Sequence, residues 1–299
     1  MNKRWSGGIR AGGILLREEP RVLAISEQRY ALQAQPRGVV AALRSSGMQV
    51  REQALAGGTV PDHDADVVPD KVRADLEWAD VVVARGRSEQ VLAALDLARE
   101  LGVAMVDPPG PIRAVRDKAR MGAAFLDAGI PVPATFIGPV GELAGTIPAW
   151  RYPLILKPVF GDNARGLRVV RTPADLAAAD WPESPALLQS YLPGDGVDLK
   201  LYGIGPQVWA VRKPSPFTPC RDPGTYLVPL DDGLERLAHA CAGLFGLTVY
   251  GVDCLQTPEG PVVIEINDFP NFTAVPDADT WLARHVLDAA GALLETARP

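Results

Sequence analysis

One hairpin constrains the fold of this chain more than any other stretch. The apolar runs "VYGVDCLQT" and "VVIEIN" are joined through a short "TPEG" turn, which is typical of an antiparallel β-hairpin. Asp253 lies inside the first run, and Glu265 and Asn267 lie inside the second. Alternation puts Glu265 and Asn267 on one face, and hairpin pairing can bring Asp253 beside them. The sequence therefore predicts a sheet with three polar side chains on one patch.

This polar patch has the composition of a magnesium site. Mg²⁺ prefers a few carboxylates together with waters and substrate phosphates, so Asp253, Glu265 and Asn267 are candidate metal ligands. The alternative is the outward polar face of an edge hairpin. Solvated strands usually carry Lys or Arg as well, whereas these two strands carry neither.

The rarity of lysine singles out a second group of residues. Of the 30 basic residues, 24 are Arg and 6 are Lys. Lysine is a compact point charge that suits phosphate oxygens and is not interchangeable with Arg at such a site. Four lysines therefore become candidates before any motif is considered: Lys118, Lys157, Lys200 and Lys213.

Further candidates lie on loops and strand ends. The loop "GDNARG" (161–166) follows Lys157 and could lay backbone N–H groups over phosphates, although a solvent turn explains it equally well. Asp198 and Lys200 share a strand face, where they could hold ribose and phosphate or form a plain cross-strand pair. Arg212 ends the strand "VWAVRK" and is a candidate charge clamp because of its fork geometry.

The first third of the chain predicts a parallel α/β domain. Strands are expected at 21–26, 80–86 and 103–107, with a helix at 88–102 that begins at Ser88 and ends at Gly102. No GxGxxG follows the first strand and no GxxxxGK[ST] occurs, which disfavours a Rossmann dinucleotide site and a P-loop. The remaining two thirds predicts mixed α+β structure with antiparallel strands, and helices at 112–128, 234–245 and 280–296.

Charge and hydropathy exclude several classes of protein. A net charge of −6 argues against nucleic acid as the main partner. No apolar run approaches the roughly 20 residues of a membrane span. The apolar stretch near the N-terminus, "GGILL", is too short for a signal peptide, so we expect residues 1–20 to be a loose leader and the protein to be cytoplasmic.

Taken in order, the candidate residues resemble the ATP-grasp superfamily from about residue 80 to the end. The resemblance implies an α/β and α+β protein of three parts. A pre-ATP-grasp α/β domain (21–111) would precede a central lid (112–192) and a catalytic subdomain (193–299). The motifs that carry the resemblance are "RDKARM", "LILKPVFGDNARG", "LLQSYL", "DLKLY", Arg212, "GVD" and "EIN".

The resemblance also implies a role for each candidate. ATP would lie between the lid and the catalytic subdomain, with two Mg²⁺ ions, or Mn²⁺ in their place, bridging its phosphates. Asp198 would bind ribose, and Lys200 would reach phosphate. Cofactor contacts would come from Lys118, Lys157, Gly161, Gly166, Gln189, Tyr191, Leu192, Asp198 and Lys200, metal ligands would be Asp253, Glu265 and Asn267, and catalysis would use Arg212, Lys200 and Arg221.

Two activities are similar to parts of the chain. Glutamate-adding and related amino-acid ligases resemble it from "DKARM" through "GDNARGLRVV", which implies amide formation through an acyl phosphate with release of ADP and phosphate. Arg221 would stand in for the Arg-x-Asn of those ligases. Inositol polyphosphate kinases resemble it at "DLKLYGIGPQVWAVRKPSP" and "EINDFPNFTAVPDA". An ATP-binding protein without turnover is the third alternative.

The ligase is the leading prediction. Its expected partners are ATP and a small-molecule acid and amine, with no nucleic acid and no membrane. The sequence is also compatible with a homodimer.

Overall fold

A computed structural model describes residues 20–57, 68–161, 166–194, 196–215 and 224–296. The chain divides into two compact units, one formed by residues up to Pro109 together with those from Pro276 onward, and the other by Gly110–Val275. Within the described residues, no helix is both long enough and apolar enough to cross a membrane.

The first unit is built on a four-stranded parallel sheet in the order β2-β1-β3-β4. Every residue of β3 is buried, as expected for a parallel strand that helices cover. The side chain of Ser88 accepts a hydrogen bond from the Val91 amide and starts α3 at the residue that the sequence predicts. The elements are β1 (Arg21–Glu27), α1 (Ala34–Ser45), β2 (Gln49–Leu55), α2 (Asp70–Trp78), β3 (Val81–Arg85), α3 (Glu89–Glu100), β4 (Ala104–Val106) and α9 (Ala278–Thr296).

The second unit contains two antiparallel sheets. The smaller one, which we call the lid sheet, has the order β5-β8-β6-β7, and one of its faces packs on α6 and α7 through Leu154, Leu156 and Leu188. Helix α4 (Pro109–Ala114) begins where the first unit ends. The next elements are α5 (Lys118–Asp127), β5 (Thr135–Gly138), α6 (Val140–Thr146), a 3₁₀ turn (Ala149–Arg151), β6 (Leu154–Lys157), β7 (Arg168–Val170), α7 (Pro173–Ala177) and β8 (Ala186–Ser190).

The larger sheet has five strands in the order β11-β10-β9-β12-β13. One face is covered by α8 and α5, whose Cys241 and Phe125 are fully buried against strand residues such as Leu201 and Val252. Its elements are β9 (Val197–Ile204), β10 (Gln207–Pro214), β11 (Tyr226–Val228), α8 (Asp232–Phe245), β12 (Val249–Thr257) and β13 (Gly260–Asp268).

This architecture confirms the predicted fold class, a parallel α/β unit followed by mixed α+β structure. Three details differ from the sequence-based expectation. The single helix predicted at 112–128 is two helices, α4 and α5, because Asp117 caps a new helix with its carboxylate. Several short elements were not predicted, among them α2, β5, α6, α7 and β11. The last helix of the predicted catalytic subdomain (193–299) belongs instead to the first unit, because α9 packs on α1, β3 and β4.

Gly203 tests the core of the five-stranded sheet. A Cβ at Gly203 would lie 2.1 Å from Cζ of Tyr250, a fully buried ring on the neighbouring strand. We expect Gly203→Ala to destabilise the protein by about 1–3 kcal/mol through overpacking, measured by urea unfolding. Gly243→Ala is the control, because its Cβ meets nothing within 4 Å on α8 and should stabilise by about 0.5–1 kcal/mol. Equal effects would contradict this packing.

Candidate active site

Three charged residues stand in one row across the five-stranded sheet. Asp253 on β12 lies directly opposite Glu265 on β13 and, on its other side, directly opposite Lys200 on β9. Because directly paired residues of antiparallel strands project on the same side, all three share one face. We call it the carboxylate face; it is the face opposite to α8. The predicted hairpin thus brings Asp253 beside Glu265.

A β-bulge decides which side chains of β13 reach this face. Asp253 pairs with Glu265, but the next residue of β12, Cys254, pairs with Val263, so Ile264 is the extra residue. The bulge lets Val263 and Ile266, three positions apart, both enter the core that α8 covers. Glu265 is thereby left on the carboxylate face.

Two lysines hold the two carboxylates. The Nζ of Lys200 lies 2.6 Å from Oδ1 of Asp253, and the Nζ of Lys118 lies 3.3 Å from Oε2 of Glu265. The side-chain amide of Asn267 donates to Oε1 of Glu265 at 3.0 Å. Asp253, Glu265 and Asn267, the predicted metal ligands, are therefore gathered together with two of the predicted phosphate-binding lysines.

The electrostatics of the row fit a cation. Burial raises the pKa of Asp253, and the neighbouring Glu265 raises it further, although the Lys200 ammonium opposes both effects. Burial disfavours the charge on Lys200, but the adjacent carboxylate more than compensates and raises the pKa of Lys200. Two facing carboxylates and an amide oxygen are the donor set that Mg²⁺ accepts. Among the described residues, no group of three or more His, Cys, Asp or Glu is positioned to hold a metal ion.

Lys118 reaches the row from the first turn of α5. Asp117 caps this helix by accepting from the amides of Ala119 and Arg120, both at 3.0 Å. The Lys118 amide donates to the Val159 carbonyl, and its Nζ donates to the Gly161 carbonyl at 2.6 Å. Lys118 therefore ties the start of the glycine-rich loop to the carboxylate of Glu265.

Lys157 and Gln189 lie on the lid sheet, on the face opposite to α6 and α7. We call this the inner face, and its residues include Thr135, Ile155, Lys157, Leu187 and Gln189. The Nζ of Lys157 donates to Oε1 of Gln189 at 2.6 Å, and both side chains are buried. Burial lowers the pKa of Lys157 to about 8, with Glu265 opposing this shift and Lys118 adding to it.

The remaining predicted cofactor residues lie on β9, directly after β8 and at the end of the glycine-rich loop. Asp198 lies on the carboxylate face two residues before Lys200, opposite Lys213. Tyr191 and Leu192 follow β8, and the Tyr191 amide donates to the Pro153 carbonyl. Gly166 has the left-handed φ of 76° that glycine favours. Arg221 and the loop residues 162–165 lie outside the described residues.

The register separates the two basic residues that end β10. Arg212 pairs with Leu199, whose side chain belongs to the core under α8, so Arg212 projects from the face opposite to the row. Its neighbour Lys213 pairs with Asp198 and projects from the carboxylate face. The register therefore does not support the predicted clamp role of Arg212. Val211 pairs with Lys200, and Lys213 lies two residues further along β10, so alternation places Lys213 on the same face as Lys200. The sequence alone could not give this result, because it does not reveal the pairing.

Apolar residues that the sequence analysis did not select close one end of the carboxylate face. Gly251 lies opposite Asn267, and a Cβ there would meet Pro270 at 3.1 Å and Tyr202 at 3.4 Å. The ring of Phe272 lies 5.5 Å from that of Tyr202. The segment "DFPNF" after β13 thus folds back over the sheet beside Asn267. The sequence feature that could have indicated this folding back is Gly251, the glycine before "VD", because its missing side chain leaves room for Pro270.

Comparison with solved structures defines the class of fold. The chain has a TM-score of 0.65 to the ATP-grasp ligase PsnB complexed with a minimal precursor, Mg and ADP, with 19% identity over 90% of this chain and 98% of that one. D-alanine–D-alanine ligase from Bacillus anthracis, complexed with ATP, gives 0.66 with 13% identity over 94% and 100%. The chain therefore has the ATP-grasp fold, as the resemblance in the sequence implies.

The family follows from the sequence comparison. The model of the RimK-like ATP-grasp domain matches residues 115–289, which is more than half of the chain, and the protein belongs to this family. It is 28% identical over 208 residues to a probable alpha-L-glutamate ligase of Shewanella sp. (strain W3-18-1), covering 65% of this chain and 67% of the relative. A probable alpha-L-glutamate ligase of Haemophilus influenzae is 28% identical over 172 residues, covering 54% and 57%.

The lowered pKa of Lys157 provides a test of its predicted contact with the nucleotide. Because burial lowers its pKa to about 8, Lys157 is charged below that pH and loses its charge as the pH rises through it. We expect the dissociation constant of MgADP, measured by calorimetry, to increase between about pH 7 and about pH 9. Lys157→Met should bind weakly without this dependence. A wild-type dissociation constant that stays flat over the range would contradict the assignment.

The neighbours Lys213 and Arg212 form a matched pair for testing the register. We expect Lys213→Met to weaken MgATP binding by about tenfold, the loss of one charge-assisted hydrogen bond, because Lys213 projects from the carboxylate face. Arg212→Met should change binding less than about twofold, since Arg212 projects from the opposite face. The measurement is a titration with MgATP. If Arg212→Met weakened MgATP binding more than Lys213→Met, the result would support Arg212 as the residue that contacts the phosphates.

Proposed function

We propose that the protein is an ATP-dependent carboxylate–amine ligase. One observation carries the proposal: Lys200, Asp253 and Glu265 form a row across three neighbouring strands, with Lys118 beside Glu265. This arrangement places a cation on each side of a pair of carboxylates, which suits a site for metal-bound polyphosphate.

Residues of the lid sheet and of the five-stranded sheet would both contact MgATP. Asp253, Glu265 and Asn267 would hold Mg²⁺, which neutralises phosphate charge and aligns the phosphoryl group when bound. Lys118 and Lys157 would contact phosphate oxygens, and Lys200 would exchange part of its ion pair with Asp253 for the terminal phosphate. Gln189, Tyr191 and Leu192 would contact adenine, Asp198 would contact ribose, and Gly161 and Gly166 would flank the loop over the phosphates.

The acid attacks the terminal phosphorus of ATP, which gives an acyl phosphate and ADP. The amine then attacks the acyl carbon, which forms the amide and releases phosphate. Lysine charges facing the phosphates stabilise the negative charge that develops in the first step. The relatives named as probable alpha-L-glutamate ligases make glutamate the first amine to test.

The ligase names of these relatives favour this activity over the inositol polyphosphate kinase and over an ATP-binding protein without turnover. The products separate the three. With hydroxylamine as the amine, a ligase given its acid yields a hydroxamate, ADP and free phosphate. A kinase yields ADP and a phosphorylated product without free phosphate, and a non-catalytic protein yields none of these.

Glu265 provides the decisive variant. We expect Glu265→Gln to lower turnover by about 100-fold or more, because it removes one charge from the pair of carboxylates that would hold the metal. Glu259→Gln is the matched control on the same hairpin, where Glu259 is exposed in the turn. Hydroxamate and ADP formation are measured for both variants. Turnover that survives in Glu265→Gln would refute the metal assignment.

A further inference from the structure

A chain of three hydrogen bonds runs along the inner face of the lid sheet. Lys157 Nζ donates to Gln189 Oε1 at 2.6 Å, and Gln189 Nε2 donates to Thr135 Oγ1 at 3.2 Å. The hydroxyl of Thr135 donates in turn to the Pro133 carbonyl at 2.9 Å. Thr135 lies directly opposite Gln189 on the neighbouring strand, so the strand pairing itself holds the two side chains together.

The two ends of this chain determine its direction. The carbonyl of Pro133 can only accept, and the ammonium of Lys157 can only donate. Thr135 has a single proton, which it gives to Pro133, so its oxygen is left to accept from Gln189. The amide of Gln189 must then turn its nitrogen toward Thr135 and its oxygen toward Lys157.

The hydroxyl of Thr135 is therefore the acceptor that the NH₂ end of the Gln189 amide needs when its oxygen faces Lys157. Without it, the NH₂ group would face an apolar side chain at a position that is only 7% exposed. The amide could relieve this by rotating away, whereas turning over is disfavoured because it would place NH₂ against the ammonium. Rotation would also remove the oxygen from Lys157, which is itself only 4% exposed.

We propose that Thr135 is a positioning residue for nucleotide binding, whose hydroxyl acts through Gln189 to hold the ammonium of Lys157 toward the phosphates. This inference rests on the nucleotide site described under the proposed function, and it gives a role to a residue on β5 to which the sequence motifs assign none. Thr135 lies in "PVPATF", inside the stretch that resembles the ligases, but only the pairing of β5 with β8 brings it to Gln189.

The surroundings of Lys157 explain why the orientation of one amide matters. The charged groups that act on it are Glu265 of β13, which raises its pKa, and Lys118 of α5, which lowers it. Burial has the largest effect and lowers the pKa to about 8. From β8, Lys157 receives the neutral oxygen of Gln189, so loss of that oxygen would lower the pKa further.

The test compares Thr135→Val, which removes the hydroxyl at nearly constant shape, with Thr135→Ser, which keeps it. Binding of MgADP to the full chain is measured by calorimetry from about pH 7 to about pH 9, together with thermal unfolding. We expect Thr135→Val to bind about tenfold more weakly at about pH 8, and the pH at which affinity declines to move lower. Thr135→Ser should stay within about threefold of the wild type.

Thr146→Val is the matched control in the same subdomain. Thr146 also donates to a backbone carbonyl, that of Glu142 at 2.9 Å, but it ends α6 and is exposed. Its MgADP binding should equal that of the wild type.

Three results would overturn the inference: weakening of Thr135→Val by one constant factor at every pH, wild-type binding by Thr135→Val, or failure of Thr135→Ser to restore affinity. A wild-type protein that binds no MgADP would instead refute the nucleotide site itself.

Discussion

The pairing of Lys200 with Asp253 is the interaction on which the candidate site depends. It joins neighbouring strands at the point where β13 adds the second carboxylate, and the 2.6 Å contact keeps a charged lysine on a largely buried face. Two facing carboxylates would repel each other there without nearby cations. The lysines from β9 and α5 supply that charge, so the predicted metal ligands and the predicted phosphate-binding lysines stabilise each other.

The lid sheet contributes to the candidate site because its two faces differ. Leu154, Leu156 and Leu188 pack under α6 and α7, while the alternate residues of the same strands form the inner face. Lys157 is thereby placed at the end of a buried strand, where desolvation lowers its pKa. Gln189 accepts a hydrogen bond from this ammonium and so orients it.

Much of this arrangement could be predicted from local sequence pattern. The hairpin of Asp253 and Glu265, the strand that ends at Lys157 and the helix that Ser88 starts all follow from periodicity and capping. The break between α4 and α5 was missed because Asp117 was interpreted as a helix-interior residue. Short elements such as β5 and β11 were missed because three or four residues carry too little pattern to distinguish a strand from a loop.

The sequence by itself determined which residues we propose for the chemistry: scarce lysines, carboxylates on strands without Lys or Arg, and the ordered motifs of an ATP-grasp chain. Tertiary structure alone decided which of them meet. The positions of Lys213 and Arg212 on opposite faces and the partnership of Thr135 with Gln189 depend on strand register, and the bulge in β13 sends Val263 and Ile266 to one core. Register is set by packing between segments distant in sequence, which no local pattern records.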